Sequence, residues 1–266
     1  MITEIKIRAF RAIDDPETCI RFISGHRRVL SIYGIENITT NTDSWMYNPA
    51  IFVIVVESVD GEKLYGGARV QVANGITPLP IEEATGKMDP KIYDIIKYYS
   101  QFGAAELSGL WNSKEVAGFG IGSLFPSRVA VAIVEQIGVQ VLFTLCSPTT
   151  VRFKSWMGGR ELESVGNKGT FYYPKLDLIA TALYTEDAIS LPECHPRERE
   201  KIFYLREHPV HIAEEKSPFK NKEVKIHYEL NIPSANPDEF KLNINMPYTS
   251  LEKILSNEKS CSLNYQ

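Results

Sequence analysis

Apolar and polar residues alternate over residues 4–9, which predicts a half-buried first strand. Asp14-Asp15-Pro16-Glu17 is a helix-start signal, because acidic side chains are favoured at the positive end of the helix dipole. A helix is expected over 17–33, ended by Gly34, and then a polar, irregular stretch over 35–49 that embeds Trp45 and Tyr47. Residues 50–59 are rich in Ile and Val, the pattern of a buried strand. Asp60-Gly61 reads as a hairpin turn, with 62–72 as the returning strand. A loop carrying Pro78 and Pro80 follows. Ile92, Ile95, Ile96 and Tyr99 then repeat at helical spacing over 91–101.

The middle of the chain predicts a strand over 104–111, a glycine turn, an apolar helix across 123–138 and a second apolar strand over 139–146. Pro148 stands at a helix-start position, and Gly158-Gly159 stop that helix after Met157. Further strands are expected over 161–165, 170–173 and 176–184. Beyond residue 186 the chain turns polar and is punctuated by prolines from Pro192 to Pro247, with one strand pair, 224–230 and 240–244. The order predicts an α/β (α+β) fold: a mixed sheet with helices on both faces, not a repeating βαβ array. The expected division is a domain over 1–187 and a C-terminal extension over 188–266, irregular apart from a β-hairpin.

Composition narrows the function classes. The 266 residues are 44% hydrophobic and 23% charged, as in ordinary globular proteins. A net charge of −4 gives no basic field for nucleic acid. Cys19, Cys146, Cys194 and Cys261 lie far apart without a Cys-x-x-Cys pair, which argues against a zinc site or disulfide framework and for a reducing cytoplasm. The first residues lack a signal-peptide apolar core, and the apolar runs 51–56 and 129–134 are too short to span a bilayer.

Gly118-Phe119-Gly120-Ile121-Gly122-Ser123 is the most suggestive stretch. A glycine turn between a strand and a helix points backbone amides at an anion such as a pyrophosphate. Plain turn chemistry is the alternative. A P-loop is excluded because no Gly-Lys-Ser/Thr follows, and the dinucleotide fingerprint fails because the third glycine is at 122, not 123.

The element order with this turn resembles the GNAT-type acyltransferase fold, whose sheet is mostly antiparallel and twisted. Three pieces carry the resemblance: Glu106-Leu107-Ser108-Gly109-Leu110 as the central strand, Ala117 to Gly122 as the pyrophosphate turn, and Trp156-Met157-Gly158-Gly159-Arg160-Glu161 as the helix end and turn behind it. The signature's leading Arg or Gln is Ala117 here, and the place of a frequent tyrosine general acid is Lys154. Arg27-Arg28, Tyr33-Gly34, Trp45, Gly66-Gly67-Ala68-Arg69 and Glu106-Leu107-Ser108 occur in an order similar to acyl-homoserine-lactone synthases and N-acyl amino acid synthases. The arginine that subgroup places after Glu-Leu-Ser is Gly109.

The resemblance implies an acyl group moved from acetyl-CoA or a longer acyl-CoA to a small amine, without a metal. Such a transfer needs a base, a donor to the thioester carbonyl and a proton for the leaving thiolate. Glu106 is the candidate base; the alternative is a strand glutamate paired with Arg69 or Lys114. Cys146 is a second catalytic candidate, set against an inert buried thiol because no histidine is near it in sequence. Leu110 and Trp111 are candidates to flank the thioester, Trp111 also reading as core, and residues 118–123 to hold its phosphates. Arg69, with Trp45 and Ser108, is the candidate acceptor site, set against a surface ion pair. Lys154 is expected to face solvent. The alternatives are a long-chain N-acyl amino acid or autoinducer-type synthase fed by acyl carrier protein, and a non-catalytic acyl-CoA sensor. A homodimer is a further candidate, as is self-association through the extension.

Overall fold

A computed structural model describes residues 4–35, 43–218 and 222–240. Its elements run β1 (Glu4–Arg11), α1 (Pro16–Ile32), β2 (Ile51–Glu57), β3 (Leu64–Val72), α2 (Pro80–Thr85), α3 (Lys91–Ser100), β4 (Ala104–Asn112), α4 (Leu124–Ala132), β5 (Val141–Cys146), α5 (Pro148–Trp156), β6 (Arg160–Glu161), β7 (Thr170–Tyr172), β8 (Ile179–Thr185), α6 (Pro196–Glu207), β9 (Val210–Lys216) and β10 (Glu223–Glu229). The ten strands form one sheet in the order β6-β8-β5-β4-β3-β2-β1-β10-β9, with β7 pairing β8. Only β1/β10 and β4/β5 are parallel; the other pairs are antiparallel.

Local chemistry sets the boundaries. Asp15 caps α1 by accepting the Thr18 amide at 3.0 Å, and Gly34 ends the helix region with φ +62°. Every residue of β2 is buried, because helices cover both faces of the sheet there. Ile51, Val53 and Val55 face Cys19, Phe22 and Ile23 of α1, while Phe52, Ile54 and Val56 join the core beneath α4. A third cluster places Ile92, Ile95, Ile96 and Tyr99 of α3 against Val141 and Phe143 of β5.

The segment after residue 186 differs from its expected form. It contains the 12-residue helix α6, and the partner of the 224–230 strand is β9 on one side and β1 on the other. The expected partner over 241–244 lies outside the described residues, and Pro237–Phe240 is a short 3-10 helix. The helix was hidden by a sequence that is polar nearly all round, with only Ile202 and Leu205 as buried apolar residues. Residues 161–165 contribute only their first residue to a strand.

This segment braces α4. Arg128 of α4, 1% exposed, donates from Nε and Nη2 to Glu198 of α6 at 2.8 and 3.2 Å, and from Nη1 to Glu215 of β9 at 2.9 Å. A Cβ on Gly120 would lie 2.8 Å from Pro218, and one on Gly138 would lie 2.7 Å from Pro237, so both ends of the α4 region are packed against the segment. Among the described residues, no helix is long and apolar enough to cross a membrane.

Candidate active site

Alternation along β4 assigns its side chains to opposite faces. Ala105 and Leu107 join the core beneath α4, and Glu106 points to α2 on the other side. On β3, Gln71 stands opposite Glu106 and Arg69 opposite Ser108. The register slips between Gly67 and Arg69, where Gly109 of β4 adopts φ +60°. That left-handed bulge favours glycine at the position after Glu-Leu-Ser.

Glu106 is 2% exposed, and its Oε2 accepts the Ile81 amide at 2.6 Å. Burial pushes its carboxyl up to about 8; the Ile81 amide and Arg69 pull the other way, and Glu82 and Glu83 add to the rise. Its hydrogen-bond partner among the described residues is thus a main-chain amide, not Arg69 or Lys114.

Arg69 is buried, which overturns the surface ion pair. Its guanidinium carbon lies 5.0 Å from the Trp45 ring centroid, and Nε reaches Ser108 Oγ at 3.4 Å. Burial lowers its pKa to about 10, opposed by Glu106 and Glu83. Phe22 stands edge-on to both Trp45 and Trp111, with centroids 5.9 and 5.8 Å away. His26 is close to this group; burial first, and Arg69 second, push it down to about 4, so it is neutral at pH 7. Arg69 Nη1, Trp45 Nε1 and Trp111 Nε1 are buried without a hydrogen-bond acceptor among the described residues.

Trp111 packs on α1, where a Cβ on Gly25 would come within 2.1 Å of its ring, while Leu110 lies against the core beneath α4. The two candidate thioester neighbours are therefore on different faces.

On the α4 side the sheet opens. β4 and β5 pair only from Ala104–Val141 to Glu106–Phe143. Beyond that, Thr144 Oγ1 donates to the Leu107 carbonyl at 2.9 Å across the gap, while the other edge of β5 stays paired with β8 from Leu142 to Cys146. A cavity begins here, lined by Leu107, Thr144, Val131, Leu142, Met157 and Lys154 among others. It is narrow, and the space between these side chains together with its opening totals ≈280 Å³. Cys146 is buried at the end of β5, its Sγ 3.6 Å from Thr144 Oγ1.

Lys154 does not face solvent. It is 6% exposed, and Nζ donates to Ser127 Oγ at 2.8 Å. Burial lowers its pKa to about 8, with Cys146 acting the other way. The sequence of α5 gave no warning, since its polar residues are spread around the helix. The nearest signal was Ser127, a hydroxyl within the otherwise apolar stretch that begins α4.

The glycine turn leads into α4. Gly118 and Gly120 have φ of +83° and +81°, and the Ser123 and Phe125 amides both bond to the Gly120 carbonyl. A Cβ on Gly122 would lie 2.1 Å from that of Asn112. Packing alone thus demands glycine at 120 and 122. Phe119 and Ile121 are core residues, while Ala117 is exposed and Gly118 and Ser123 are half-buried.

The chain has a GNAT-type fold, with a mostly antiparallel sheet that parts between β4 and β5. It is similar to FeeM, an N-acyl amino acid synthase from uncultured soil microbes, with a TM-score of 0.50 and 18% identity over 70% of this chain and 94% of FeeM. The CoA-dependent acyl-homoserine lactone synthase MesI aligns with a TM-score of 0.49 and 15% identity, over 74% of this chain and 95% of its own. No protein-family model matches the sequence, and no curated protein matches it.

Proposed function

We propose that the protein moves an acyl group from a coenzyme A thioester directly to the amine of a small acceptor. One observation carries this reading: β4 has a buried, raised-pKa glutamate on one face and, on the other, a cavity entered where it parts from β5. The thioester would lie in that gap with its pyrophosphate at residues 118–123. Glu106 would take a proton from the acceptor amine, the amine nitrogen would bond to the thioester carbon, and the carbon–sulfur bond would break. Cys146 needs no covalent role in this sequence of steps.

The acceptor site favours an amine that also carries an acid group. Arg69, Trp45 and Trp111 leave three buried donors without acceptors in one aromatic cluster, and an unpaired buried donor costs about 1–3 kcal/mol. A ligand carboxylate supplies the missing acceptors. FeeM, as an N-acyl amino acid synthase, is in keeping with that acceptor class. The narrowness of the cavity favours a short acyl group over the long chain an acyl carrier protein would deliver.

The test is thiol release from short acyl-CoA donors with a panel of amino acids and simple amines. Amine-dependent release is expected; donor binding without release would make the protein a sensor. We also assign the chemistry to residues 1–187 and a bracing role to the segment from 188. Free, buried Cys19, Cys146 and Cys194 are in keeping with a reducing cytoplasm.

A further inference from the structure

On the α4–α5 face, Lys154 is a buried cation without an anion. An ammonium has three donors. One goes to Ser127 Oγ at 2.8 Å, and the Ser127 proton is itself directed to the Ser123 carbonyl at 2.5 Å. Among the described residues no carboxylate acts on Lys154; Cys146 is its one electrostatic neighbour. Burying an ammonium is unfavourable unless an anion or a full set of acceptors meets it. Yet Lys154 forms part of a cavity wall that is otherwise aliphatic or hydroxyl-bearing, and that wall begins at Leu107 and Thr144, where β4 and β5 part.

We propose that the cavity takes an acyl group that is itself anionic, a short dicarboxylic acyl whose terminal carboxylate is held by the Lys154 ammonium, which Ser127 positions. This rests on the acyltransferase reading and names its donor class. Leu107, Leu142, Val131 and Met157 then cover the methylene chain, and Lys154 reads its end. Discrimination follows from the penalty on the wrong donor: a methyl-terminated acyl leaves the ammonium unpaired in an apolar wall.

Succinyl-CoA and butyryl-CoA are matched in chain length and differ at the terminal group. Their kcat/KM values and calorimetric Kd values are to be measured with the intact protein. Succinyl-CoA should be preferred by roughly tenfold to a hundredfold, the scale of one charged hydrogen-bonded contact. Lys154→Met and Lys154→Gln should each collapse or reverse that ratio. If neither variant folds, the wild-type ratio decides alone. Equal use of the two donors, or a preference for butyryl-CoA, overturns the proposal. A succinyl-CoA binding preference with no thiol release from any donor keeps this inference and sinks the transfer reading. Release from acetyl-CoA and butyryl-CoA with no carboxylate preference does the reverse. Binding of neither donor overturns both.

Discussion

Glu106 Oε2 receives the Ile81 amide at 2.6 Å, which ties the candidate base on β4 to the first turn of α2. That bond favours the ionised carboxylate, but burial outweighs it and leaves the group near 8. A base must be ionised to act, so kcat should rise with pH through about 8 and level off above it. Glu106→Gln should remove that rise and lower kcat by about 10²–10⁴. The same shift acts on stability. The folded pKa lies above the unfolded 4.5, so the folded state holds more protons between 4.5 and about 8, and stability falls across that window. Denaturation at several pH values should show a shallower fall in the glutamine variant.

Arg69 makes no hydrogen bond to a carboxylate among the described residues; Glu106 and Glu83 act on it through charge alone. Arg69→Met should raise KM for an α-amino acid acceptor far more than for the corresponding decarboxylated amine. A loss of about tenfold or more is expected on the acid-bearing acceptor alone. Arg69→Lys should not restore it, since an ammonium cannot reproduce the planar, aromatic-stacked guanidinium. Equal losses on both acceptors would assign Arg69 to structure instead.

Arg128 is the opposite case, a cation locked between two carboxylates. Arg128→Met should destabilise the protein by about 3–5 kcal/mol, because Glu198 stays buried without its partner and Glu215 keeps only Lys201. Adding Glu198→Gln and Glu215→Gln should recover a substantial part, measured by chemical denaturation.

Ala117 offers a cleaner probe of the glycine turn than the glycines themselves. Gly120 sits against Pro218 with φ +81°, so changing it disturbs packing and backbone together. Ala117 is exposed. Ala117→Arg should tighten coenzyme A binding and Ala117→Glu weaken it, each by about twofold to fivefold, the scale of one exposed charge pair at low salt. Calorimetry at rising salt should erase the difference.

The sequence exposed what depends on near neighbours. The apolar run of β2, the Asp60-Gly61 turn, the Asp15-Pro16 start of α1 and the glycine turn are local signals, and they placed the central strands. Contacts far apart in sequence were hidden. The pairing of β10 with β1 joins residues more than two hundred apart, and β9, with only three apolar residues in seven, has no period to reveal it. Glu106, Arg69 and Trp45 were singled out by type and order. The sequence suggests a solvent-facing Lys154, because its partner Ser127 is supplied by another helix. The sequence reads as loop where the short helix α2 forms; its start signals are Pro80 at the first helical position and Glu82, which accepts the Leu79 amide at 2.6 Å.

The parallel match of β1 with β10 also has a meaning for synthesis. Lys6 stands beside His227 and Arg8 beside Glu229, so the outer rim of β1 has no strand to meet until the chain has grown past that point. At ribosomal speeds of about 5–20 residues per second, the nascent rim is bare for roughly ten to forty seconds. Lys6 and Arg8, charged residues within an otherwise sticky strand, are well placed to keep neighbouring nascent chains from zipping onto it.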